Sequence, residues 1–95
     1  MPRYYRGGPS LASRRIDVII NRRTGLVMRG RGISISDRPD GLDQFGGACE
    51  VGAIPRTLEI VKAGRKPHHF EIAPTQEMTF EQYEAELAKI TLTRM

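Results

Sequence analysis

The chain has 95 residues, 27% charged and 39% hydrophobic, the balance of one globular domain with a modest core. No apolar run approaches the ~18 residues that cross a bilayer, and the N-terminus lacks the apolar centre of a cleaved signal peptide, so neither a spanning helix nor secretion by that route is expected. Cys49 is the only cysteine, which excludes an internal disulfide, and two adjacent histidines without metal-ligand spacing argue against a metal site.

Pro2–Arg6 reads as a first strand, stopped by Gly7-Gly8-Pro9. Arg15–Ile20, rich in β-branched residues, predicts a second strand. Asn21–Gly25 is a turn and Leu26–Met28 a short return strand, so residues 15–28 read as a hairpin. Ile33-Ser34-Ile35-Ser36 alternates apolar and small polar residues, the pattern of a half-buried strand. Asp37–Gly41 has turn chemistry, and Leu42–Phe45 fits one helical turn. Strands are expected at Ala48–Val51, Thr57–Val61 and His69–Ala73. Thr79 and Gln82 form a capping box that opens a helix, and Phe80, Tyr83, Leu87 and Ile90 line one face of it. No repeat or linker interrupts residues 1–95. The expectation is one α+β domain of six or seven short strands closed by a helix.

Charge is unevenly placed. Residues 1–40 carry nine Arg against Asp17, Asp37 and Asp40, a balance of +6, while residues 71–95 carry a balance of −3. Arg outnumbers Lys twelve to three, and the Arg fork grips phosphate in two-pronged fashion. The basic half fits a phosphate-bearing ligand, a nucleic acid or an acidic protein, and plain solubility is the simpler reading.

Three constellations carry chemistry. Tyr5-Arg6-Gly7-Gly8 sets a guanidinium beside glycines that let a ligand approach the backbone; Arg-Gly-Gly is equally the pattern of flexible nucleic-acid-binding tails. In Gly32–Asp37, Ser34 and Ser36 share a strand face, suited to the floor of a pocket or to a solvent-facing row. In His68–Pro74, His69 and Glu71 share one face, with Phe70 and Ile72 on the other. A carboxylate two residues along a strand orients an imidazole or stabilises its charge. Spacing alone certifies no Ser-His-Asp order, so no serine hydrolase is read here.

As an ordered series, these pieces resemble the small type VI secretion effector toxins related to NAD-dependent ADP-ribosyltransferases. That pattern has a strand ending in Tyr-Arg, a Gly-(Thr/Ile)-Ser-Val-(Phe/Ser)-Asp stretch and a Val/Ile-Pro-x-x-Leu segment. A His-Tyr/Phe-x-Ile-x-Pro strand, a Met and a final helix follow. Here they fall on Tyr5-Arg6, Gly32–Asp37, Ile54–Leu58, His69–Pro74, Met78 and Phe80–Ile90. A family member carries Thr-Ser where this chain has Ile33-Ser34, so one hydroxyl is missing, and the stretch from Asp37 to Ala48 is compact.

The resemblance implies a small split β-sandwich of two antiparallel sheets with a nicotinamide-cofactor cleft between them. It implies NAD as substrate, transfer or hydrolysis of its ADP-ribosyl group in a bacterial cytoplasm, and a neutralising immunity or antitoxin protein. Arg6, Ser34, His69 and Glu71 become the candidate catalytic residues, and Tyr5, Arg6, Gly7, Ser34 and Ser36 the candidate NAD contacts. The other class left open is a basic RNA- or DNA-binding module, motivated by the +6 segment and the aromatics Tyr4 and Tyr5, or a ribonuclease-type toxin.

Overall fold

Alternation of apolar and small residues builds the centre of the molecule. The computed structural model describes residues 3–95, so Pro2 of the first expected strand lies outside the described residues. The strands are β1 (Tyr5–Gly7), β2 (Ile33–Ser36), β3 (Ala48–Val51), β4 (Leu58–Lys62), β5 (His69–Pro74) and β6 (Leu92–Arg94); the helix α1 is Phe80–Leu87. They form one antiparallel sheet in the order β4-β5-β2-β1-β3-β6.

The sheet has a seam. β2 pairs with β5 along its whole length, from Ile33↔Ile72 to Ser36↔His69. β1 pairs with β3 along its whole length, from Tyr5↔Glu50 to Gly7↔Ala48. Between these two halves a single register pair, Tyr5↔Ser36, joins β1 to β2. The expected pair of separate sheets is thus replaced by one sheet of two three-stranded halves joined by one register pair.

Directly opposed residues share a face in an antiparallel ladder. Ile33 and Ile35 of β2, Ile72 of β5 and Leu58 of β4 therefore meet on the side covered by Tyr83 and Leu87 of α1, with Val27 and Met78 completing the core. No helix among the described residues is long and apolar enough to cross a membrane.

Two expected regions differ, the hairpin over residues 15–28 and the C-terminus. Arg15–Ile20 is not a strand: Arg15–Asp17 form a 3-10 turn, Ile16 is exposed, and only Ile20 bridges Val27. The Asp17 carboxylate accepts from the Arg14 backbone N–H at 2.8 Å, a local bond that outcompetes pairing despite the β-branched run. The turn at Asn21–Gly25 does form, closed by Asn21 N–H donating to the Leu26 carbonyl at 2.8 Å, but the expected return strand Leu26–Met28 is reduced to isolated bridges of Val27 with Ile20 and Met78. The second correction is at the C-terminus, where α1 stops at Leu87 and β6 pairs with β3. Ile90 is buried beyond the helix, so the helix is not the last element. Of the capping box, the Thr79 half is present, with its Oγ1 accepting from Gln82 N–H at 3.0 Å.

Candidate functional site

A cleft of about 1000 Å³ opens beside the seam. β1 brings Tyr5, Arg6 and Gly7 to its wall, β2 brings Ser34 and Ser36, and the β4–β5 turn with the start of β5 brings Arg65 to His69. Among the described residues, the walls carry the cations Arg6, Arg14, Arg65 and Lys66 against one carboxylate, Asp17, which is already paired with Arg14 at 3.6 Å. An anion entering this cleft meets a net positive field.

Arg6 reaches across the seam. Its Nη1 donates to the Ser34 carbonyl at 2.6 Å and its Nε to the Ser10 carbonyl at 3.3 Å. Among the described residues no carboxylate forms an ion pair with it, and burial pushes the guanidinium below its ordinary pKa while nearby Asp17 opposes that shift. A guanidinium stays charged at neutral pH even so, leaving a half-desolvated cation with donors to spare. That is the requirement for gripping a phosphate or carboxylate.

His69 Nε2 lies 3.1 Å from Ser34 Oγ and 3.8 Å from Glu71 Oε2. The register explains the meeting: Ser34 opposes Glu71 and Ser36 opposes His69, so Ser34 and His69 are diagonal neighbours on one face. Both contacts converge on the same ring nitrogen. A Ser-His-acid relay needs one partner on each nitrogen, so this is no hydrolase triad.

Glu71 sits deeper than its face predicted. The Gly30–Gly32 segment folds over it, and its Oε1 accepts from Arg31 Nε at 3.2 Å and Gly32 N–H at 3.1 Å. Its carboxylate is buried, with Oε2 the oxygen turned toward His69. Ser36 Oγ accepts from the Arg38 N–H at 3.1 Å and so shapes the turn after β2 as well as lining the cleft. Tyr5 is buried and contributes only part of its surface to the wall. At Gly7, a Cβ would lie 2.6 Å from Phe45 Cδ2, so the close approach this glycine permits is taken by the Phe45 ring.

The structure therefore gathers Arg6, Ser34 and His69 at one place, with Glu71 behind them. Sequence reasoning missed two contributors. Phe45, on the 3-10 turn Asp43–Phe45, covers Gly7 and lines the cleft while remaining half-exposed. Tyr83, read only as a core residue, accepts from Ile33 N–H at 3.0 Å and donates to the Ile72 carbonyl at 2.6 Å. Its hydroxyl is wedged into the β2–β5 ladder beside the site, and Gly32 makes room for it, because a Cβ there would lie 2.4 Å from that hydroxyl and 1.8 Å from the Ile72 carbonyl oxygen. No family model matches the chain, and neither a curated protein nor a solved structure does.

Proposed function

We propose that the cleft binds NAD and that the protein is a toxin domain that cleaves it, as an ADP-ribosyltransferase or NAD glycohydrolase. The observation that carries this reading is the convergence of Arg6, Ser34 and His69 beside the seam of a cationic cleft. Breaking the bond between ribose C1′ and the nicotinamide nitrogen passes through an oxocarbenium-like centre. It demands a positioned dinucleotide and polar groups aimed at developing charge more than a protein nucleophile. Arg6 and the cleft cations hold the pyrophosphate. Ser34, held by His69, contacts the nicotinamide-side ribose, and Glu71 stabilises positive charge on His69. A chain with this activity needs a neutralising protein in the cell that makes it, and the cationic cleft rim suits an acidic one.

The test is nicotinamide release from NAD by purified protein, together with growth on expression. Ser34→Ala removes the hydroxyl yet keeps the carbonyl that Arg6 uses, so it separates chemistry from the seam contact. Arg6→Ala and Ser34→Ala are each expected to lower NAD consumption by about 10²-fold or more and to relieve growth inhibition. Wild-type protein that releases no nicotinamide, or folded variants that match it, would overturn the reading.

A second reading is nucleic-acid binding, favoured by Arg14, Arg65 and Lys66 clustering on the same cleft. It predicts RNA or DNA affinity that falls steeply with salt and, for a ribonuclease-type toxin, RNA cleavage without NAD loss.

A further inference from the structure

The register that unites Ser34 with His69 continues one step further. Ser36 opposes His69, so the next pair along the strands is Asp37 and His68. His68 Nδ1 lies 2.8 Å from Asp37 Oδ1, and the Asp37 N–H donates to the His68 carbonyl at 3.3 Å. Side chain and backbone thus tie the two residues together at the end of the β2–β5 ladder. His68 lines the cleft, whereas Asp37 does not. A carboxylate at Nδ1 keeps the proton on that nitrogen and leaves Nε2 to accept another.

His69 differs in this respect. Its Nε2 is taken by Ser34 Oγ. His69 is placed to hold Ser34, and His68 to exchange a proton with something in the cleft.

We propose that His68, oriented by Asp37, is the general base of the cleft and takes the proton of the nucleophile that attacks the ribose. This rests on the NAD-cleaving reading above. In hydrolysis a water oxygen bonds to ribose C1′ as the C1′–nicotinamide bond breaks. The bonding pair passes to the ring nitrogen of nicotinamide and cancels its positive charge. The water proton goes to His68 Nε2, Asp37 stabilises the imidazolium, and solvent takes the proton at the end of turnover. In transfer, the proton of an acceptor O–H or N–H follows the same route.

The experiment combines steady-state nicotinamide release with ring-nitrogen NMR on wild type, His68→Gln and Asp37→Asn, each checked for folding. His68→Gln is expected to lower kcat by about 10²–10⁴-fold with KM within a few-fold of wild type, and Asp37→Asn to lower it by about tenfold or more. In wild type the neutral His68 ring carries its proton on Nδ1, and Asp37→Asn shifts that preference toward Nε2. An active wild type with His68→Gln within about threefold of it in kcat, too small a loss for a general base, would overturn the base role and leave NAD cleavage standing. Neutral His68 protonated on Nε2 in wild type would also overturn the base role. Wild type that releases no nicotinamide would overturn both proposals.

Discussion

At the residue scale, Tyr83 is the side chain on which the site most depends without lining it. Its hydroxyl satisfies one backbone donor and one backbone acceptor that the β2–β5 ladder leaves open. Tyr83→Phe strands both inside the core, and equilibrium denaturation is expected to show a loss of about 2 kcal/mol or more. Burial also raises the Tyr83 pKa to about 12 from its ordinary 10.0. The folded state therefore holds the phenolic proton more tightly than the unfolded state. Its contribution is complete below about pH 10 and is lost as pH rises toward about 12. Wild type should lose stability across that window more steeply than Tyr83→Phe, a difference readable by denaturation at a series of alkaline pH values. Gly32 belongs to the same arrangement, since any side chain there collides with Ile72 and Tyr83.

Among the elements, α1 is the brace that fixes the core-side face of the β2–β5 half. Its N-terminus is capped by Thr79, and near its C-terminal end Glu86 accepts from Thr57 Oγ1 at 2.7 Å, just before β4. Lys89 pairs with the same carboxylate, and these hydrogen bonds hold Glu86 below the usual carboxylate range. Thr79→Ala is expected to cost about 1 kcal/mol. For a domain of this size that is a fall in Tm of about 4–8 °C by thermal melt, which Thr79→Ser should largely avoid. The capping residue and the Phe80/Tyr83/Leu87 stripe were legible in the sequence because helical periodicity is a local property. The end of the helix was not. Ile90 continues the spacing, yet it is buried by tertiary packing in a segment already turning into β6. Arg15–Ile20 failed for the opposite reason: a local side-chain bond from Asp17 overrode strand propensity.

For the whole molecule, the separation of basic and acidic segments becomes a charged cleft. Arg6 and Arg14 from the basic segment join Arg65 and Lys66 from the turn before β5. A double charge reversal, Arg65→Glu with Lys66→Glu, leaves the Arg6–Ser34 contact in place. On the proposed NAD reading, it should weaken NAD binding at low salt by about tenfold or more and flatten its salt dependence, as isothermal titration calorimetry at two ionic strengths would read. Unchanged affinity would remove these two cations from the anion-binding wall.

The sequence by itself determined the β2, β3, β4 and β5 segments, the turns between them and the capped start of α1. All of these follow from alternation, turn chemistry and helical spacing within a few residues. It also named Arg6, Ser34 and His69, though nothing in their separate neighbourhoods required them to meet. Only the tertiary structure decided that they do, because pairing register is a relation between distant segments. Register set Ser34 against Glu71 and diagonal to His69, carried the ladder on to Asp37 and His68, and left β1 joined to β2 by a single pair. The same long-range packing buried Glu71 under Arg31 and wedged Tyr83 into the ladder, two outcomes that no periodicity encodes.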